Sequence, residues 1–89
     1  MLKIKQAPLF GKDVKKAVFQ GKDIMKMFHP LALLLNSQPL PPQYHDHPLK
    51  GKWAGHREFH VEWDWLVIYR LIDEFLVLYR TGSHTELFE

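Results

Sequence analysis

The chain has 89 residues and no cysteine, with 46% hydrophobic and 25% charged residues and a formal net charge of +2. That length supports one domain, residues 1–89, near the small end of chains that fold unaided, and the composition excludes a disordered polymer. Without cysteine there is no disulfide framework or thiolate metal site, and neither the apolar run Leu31 to Leu35 nor the start Met1 to Lys5 resembles a membrane span or leader, so a soluble, cytoplasmic chain without a membrane partner is expected.

Charge is unevenly spread. Residues 1–26 hold seven lysines against Asp13 and Asp23, whereas residues 56–89 hold three arginines against seven acids. A lysine-rich end fits a polyanion as well as it fits a solvated helix face.

Leu2 and Ile4 alternate with Lys3 and Lys5, which predicts a short edge strand with one buried face. From Lys12 the period lengthens: Phe10, Val14, Ala17 and Val18 share a helical stripe that Gly21 is placed to end. Asp23 is placed to cap a second helix with Ile24, Met27, Phe28, Leu31, Leu34 and Leu35 on one face. Pro30 lacks a backbone donor and should kink or divide that helix, at roughly 3 kcal/mol if unrelieved. Pro39, Pro41 and Pro42 make residues 36–44 an extended connector, and Gly51 and Gly55 punctuate a loop around Trp53. Three runs rich in β-branched and aromatic residues follow, His56–Val61, Leu66–Leu71 and Phe75–Arg80, with tight turns between them. The order β-α-α-β-β-β is an α+β fold, two N-terminal-half helices packed on one face of a small antiparallel sheet.

The second half holds His45, His47, His56, His60 and His84, with Glu58, Glu62, Asp64, Arg57 and Arg80 nearby. Histidine both takes and gives a proton near neutrality. Breaking RNA without a metal needs such groups: a base for the 2′-hydroxyl, an acid for the departing 5′-oxygen, and a cation for the phosphoryl charge. On strand geometry His56, Glu58, His60 and Glu62 face one way and Arg57, Phe59 and Val61 the other, so the histidine face is the functional candidate. A zinc site at His56 and His60 competes with this reading, but no helical H-E-x-x-H spacing and no cysteine ligand supports it. Trp53, Trp65 and Phe88 are candidates for stacking on an unpaired base, although Trp65 begins a strand and reads more as a core residue, and Phe88 is equally placed to dock the chain end.

Asp46-His47-Pro48-Leu49, Gly51-Lys52-Trp53, Arg57 to Glu62, Asp64-Trp65, Leu66 to Tyr69, and Arg80-Thr81-Gly82-Ser83-His84 with Leu87-Phe88 together resemble the YafQ branch of RelE-type toxins. The resemblance spans nearly the whole chain, including the lysine-rich first helix and the Leu-Pro-Pro connector. It implies a RelE-like fold and the toxin half of a bacterial type II toxin–antitoxin pair, neutralised by a cognate antitoxin. Such proteins enter the A site of the 70S ribosome and cut messenger RNA there, without cofactor or metal. The resemblance makes His47, His60, Asp64 and His84 the catalytic candidates. His84 would be the general acid, and the base stays open among His60, Asp64 and His47. Arg80 would hold the phosphate and Phe88 would stack on the messenger, with Trp65 and Glu58 as further substrate contacts. Lys12, Lys15 and Lys16 would face ribosomal RNA.

Four positions depart from the family pattern. His56 stands where an aromatic is common, Phe59 where a small residue is common, and Trp63 where proline often precedes Asp64, while Pro30 interrupts a helix that is usually continuous. Two other readings share the fold: a gyrase poison that cuts no RNA, and an inactive domain that only binds antitoxin. The first has no need of a proton-transfer cluster, so His47, His60 and His84 together argue against it.

Overall fold

Residues 1–88 are described by a computed structural model. The chain opens with strand β1 (Lys3–Gln6) and helix α1 (Pro8–Phe19). Pro8 sits in the first turn of α1, where a missing N–H costs nothing, so this helix starts well before Lys12. It ends where expected: Gly21, at φ +84°, turns the chain so that its own N–H bonds to Val18 O and that of Lys22 to Ala17 O.

Asp23 does cap, but its side chain accepts from Met25 N at 3.1 Å and caps a short 3-10 turn, Ile24–Met27. Helix α2 (Phe28–Leu35) follows as a separate element. Pro30 thus falls in the first turn of α2, where it breaks no hydrogen bond, and it is buried. The break relieves the cost that an unbroken helix would carry. Pro42–Tyr44 forms a further 3-10 turn within the connector and buries Tyr44.

Strands β2 (His47–Pro48), β3 (Arg57–Glu62), β4 (Trp65–Ile72) and β5 (Phe75–Gly82) complete the sheet, and a short helix α3 (His84–Phe88) closes the described chain. The strand order is β1-β5-β4-β3-β2. β2 to β5 are antiparallel neighbours, whereas β1 joins β5 in parallel. The expected buried face of β1 is absent: all four of its residues are exposed, because β1 is the sheet edge and α1 leaves Ile4 uncovered.

The α1 and α2 face carries the larger core, in which Phe10, Met27, Leu31 and Leu34 meet Phe59, Trp65, Val67, Tyr69, Leu76 and Leu78. On the opposite face Leu66 and Ile68 pack against Leu87 of α3, with Leu49, Trp53 and Tyr79 around them. No helix among the described residues is long and apolar enough to cross a membrane.

Candidate active site

The two-residue strand β2 puts His47 directly opposite Glu58 on β3, and cross-strand partners project to the same face. Glu58 Oε2 therefore lies 2.8 Å from His47 Nε2, and His60, two residues along the same strand, brings its Nε2 to 3.5 Å from that oxygen. Glu58 is only 3% exposed, and its Oε1 is buried with no hydrogen-bond partner among the described residues. A buried carboxylate oxygen without a partner is costly and calls for an explanation. The other ring nitrogen of His47 faces Pro48 O at 3.1 Å, so both nitrogens meet oxygen acceptors. The pair can accommodate a proton taken from a substrate hydroxyl.

A second pair stands beside the first. Asp64, in the turn between β3 and β4, accepts from the His84 backbone N–H at 2.9 Å and meets His84 Nδ1 at 2.8 Å. These hydrogen bonds, the backbone one foremost, hold the Asp64 carboxyl below its ordinary pKa. With Nδ1 turned to the carboxylate, Nε2 of His84 is left to face a substrate. The rings form a chain: His60 is 5.5 Å from His84, 6.3 Å from His47 and 5.5 Å from His45, and His84 is 6.2 Å from Phe88. His45, His47 and His60 line an open cleft of about 470 Å³ with Gln43, Val61, Glu62 and Trp63.

Arg80 lies in the same cross-strand row as Glu58, through Ile68, which places it roughly 10 Å away across two strand spacings. Its Nε and Nη2 donate to Asp13 of α1 at 2.7 and 3.1 Å, and Asp13 also accepts from Thr81 N at 3.1 Å. Asp13 thereby fills the gap where β1 stops pairing with β5, and its hydrogen bonds raise the Arg80 pKa further. The Nη1 edge of Arg80 makes no hydrogen bond among the described residues and can meet a phosphate. Behind the site, Asp46 Oδ1 accepts from the Tyr69 hydroxyl at 2.7 Å and from Arg57 Nε at 3.2 Å, which fixes the residue next to His47. Burial raises the pKa of that hydroxyl, so Tyr69 stays a donor.

The predicted site residues thus meet in part. His47, His60, Asp64, His84 and Phe88 gather with Glu58, which moves from the periphery to the centre. Trp65 does not reach a substrate: it is 1% exposed and donates from Nε1 to Thr81 Oγ1. Trp53 packs in the second core cluster and against His56. His56 turns to Trp53 and Tyr79 rather than to His60, so the zinc pairing of His56 with His60 is overturned. The group that could hold an ion is His47, Glu58 and His60, whose ligand atoms lie within 4.8 Å of one another. On α1, Lys12 and Lys15 are exposed, while Lys16 Nζ pairs with Glu86 at 2.7 Å. Two residues named in the sequence without a role also come to the cleft: His45 sits in a left-handed turn at φ +47°, which no spacing reveals, and Trp63 is 90% exposed beside it.

Comparison with known proteins agrees with this fold. Residues 2–89 match the family described as the bacterial toxin of type II toxin–antitoxin systems, YafQ. The mRNA interferase toxin YafQ of Escherichia coli K12 is 49% identical over 80 residues, 89% of this chain and 87% of the relative. A copper-bound mutant toxin from Helicobacter pylori superposes with a TM-score of 0.95 at 41% identity, covering 99% of this chain and all (100%) of that one. YafQ in the E. coli DinJ–YafQ toxin–antitoxin complex superposes with a TM-score of 0.89 at 44% identity, each chain covered in full (100%).

Proposed function

This chain belongs to the YafQ family of toxins from bacterial type II toxin–antitoxin systems, and from that premise we propose that it is an endoribonuclease that cuts messenger RNA in the ribosomal A site. The observation that carries the reading is the convergence of Glu58 and His84 on His47 and His60, two imidazoles that line an open cleft. The His47–Glu58–His60 group removes the 2′-hydroxyl proton, and the 2′-oxygen forms a bond to the adjacent phosphorus. The bond from phosphorus to the 5′-oxygen breaks, and His84, oriented by Asp64, protonates that oxygen. Arg80, aimed by Asp13, steadies the phosphoryl charge, and a 2′,3′-cyclic phosphate remains. Asp64 is tied to His84 and so orients the acid rather than acting as the base.

Three arms test this. Induced expression should arrest growth, and co-expression of a cognate antitoxin should relieve it, as expected for a relative of the YafQ held by DinJ. Mapping messenger 5′ ends after brief induction should reveal discrete cuts, and purified ribosomes should be required for fast cutting. DNA damage without messenger cuts would favour the gyrase-poison reading, and growth unaffected by a folded protein would favour an inactive domain.

We further propose that cleavage needs no metal, since imidazole, carboxylate and guanidinium supply acid, base and charge stabilisation. A relative binds copper, and this chain holds groups that could do the same. Two imidazoles and the Glu58 carboxylate form a donor set suited to copper or zinc. An ion there would engage lone pairs that proton transfer needs. Stoichiometric copper should therefore inhibit cutting, while a zinc-selective chelator should leave it unchanged. Loss of cutting on zinc removal would overturn metal independence.

A further inference from the structure

Trp63 is 90% exposed, the most solvent-open of the three tryptophans, yet it does not sit on a loose loop. It occupies the tight turn in which Glu62 pairs with Trp65, and its carbonyl oxygen is 3.3 Å from His60 Nδ1. The next residue, Asp64, is fastened to His84 through two contacts. Its backbone is thus fixed by both halves of the proton-transfer machinery, and the residue lines the cleft beside His45, His47 and His60. Phe88 lies at the other end of the ring chain, against His84 and outside that cleft, and is 40% exposed. Two open aromatics therefore bracket the imidazoles.

We propose that Trp63 is a stacking platform for an unpaired messenger base on one side of the scissile phosphate, with Phe88 serving the base on the other side. The proposal rests on the active-site reading above and supplies what that reading lacks, a way to align the strand. Attack by the 2′-oxygen needs that oxygen, phosphorus and the 5′-oxygen in line, which stacked neighbouring bases do not permit. Splaying the two bases onto separate rings gives the required geometry, and every base has a face that an indole can cover. The bases that the Trp63 ring prefers should shape the cut-site spectrum.

The test compares wild type with Trp63→Ala, Trp63→Phe and Trp63→Leu on translated messenger, with 5′ ends mapped. Stacking predicts a roughly 5- to 150-fold fall in kcat/KM for Trp63→Ala. It also predicts substantial rescue by Trp63→Phe, no rescue by the equally apolar Trp63→Leu, and a shifted set of cut sites. The melting temperature and the pH profile should not move, since the ring is exposed and transfers no proton. Unchanged rate and cut sites in Trp63→Ala would overturn the proposal, as would equal activity of the Phe and Leu variants. A second measurement is independent of cutting. A short 2′-O-methyl oligoribonucleotide, which lacks the attacking hydroxyl, should quench tryptophan emission in wild type and not in Trp63→Ala. Quenching by a wild type that cuts nothing would leave the platform standing and sink the active-site reading; equal response of the two proteins overturns the platform alone.

Discussion

Glu58 and His84 divide the chemistry between a buried group and an exposed one. His84 is exposed and contributes little to either core, so His84→Ala should melt near wild type while losing at least about 10²-fold in messenger cleavage, the usual scale for a lost acid. Retained toxicity of the folded variant would remove His84 from the acid role. Glu58→Gln keeps the shape of the side chain but loses the carboxylate that faces two imidazoles. It should also lose about 10²-fold or more, and single-turnover cleavage on ribosomes would measure both. Cutting by Glu58→Gln at a near-normal rate would place the base elsewhere. Truncating Trp65 acts through the fold instead. Its ring is wholly enclosed and its N–H is bonded to Thr81, so Trp65→Ala should destabilise the protein by roughly 3–5 kcal/mol.

At the level of elements, the five-residue helix α3 carries both His84 and Phe88 and is too short to hold itself. It is clasped. Ser83 and Glu86 form a reciprocal cap, Glu86 N to Ser83 Oγ at 3.1 Å and Ser83 N to Glu86 Oε1 at 2.8 Å. Glu86 Oε2 then bonds to Lys16 at 2.7 Å and to Gln20 at 3.3 Å on α1. A Cβ at Gly82 would meet Glu86 Oε1 at 3.0 Å, so a larger residue there would press on the clasp. The Lys16 hydrogen bond, with the Ser83 N–H behind it, lowers the Glu86 pKa from 4.5 to about 2. A carboxyl depressed in the folded state stabilises above its unfolded pKa and loses that contribution as pH falls through the folded one. The melting-temperature difference between wild type and Glu86→Gln should therefore be full above about pH 4.5 and vanish near pH 2. A pH-independent difference would show that the clasp is not ionic. Reversing both charges, Lys16→Glu with Glu86→Lys, should recover part of the activity that either reversal loses.

For the whole molecule, the cleft is open, and the ring chain runs across β2, β3 and α3 with no lid over it among the described residues. Such a site holds a flexible strand poorly, and misalignment alone removes orders of magnitude in rate. A ribosome that presents bent messenger would supply the alignment, with α1 as one docking surface. Lys12 and Lys15 are free to meet phosphates, whereas Lys16 belongs to the α3 clasp. Replacing Lys12 and Lys15 by Ala should lower the salt slope of ribosome binding by roughly two, about one per lost phosphate contact. Lys16→Ala should instead change the melting behaviour and the His84-dependent rate with little effect on the slope. Equal cutting of naked and ribosome-bound messenger would refute ribosome dependence.

Local physical chemistry in the sequence determined much of this protein. The switch from alternating to helical period gave β1 and α1, although α1 starts four residues before Lys12; Gly21 ended α1, and the aromatic and β-branched runs gave β3, β4 and β5, each strand within a residue or two. Pro8 and the Ser83–Glu86 spacing carry local signals too, but the expected elements did not include α3 or a helix start at Pro8. The motifs that resemble the family marked His47, His60, Asp64, His84 and Arg80. Tertiary structure alone decided what each of them touches. Alternation along β3 told that Glu58 and His60 share a face, but not that a two-residue strand forty-odd positions into the chain would lay His47 on that carboxylate. Charge told that α1 was basic, but not that Glu86 would take Lys16 and Asp13 would take Arg80, pairings 70 and 67 residues apart along the chain. Period and propensity are properties of neighbours in sequence. Which titratable groups share a proton, and which aromatic is left for solvent, depends on contacts that exist only once distant segments have packed.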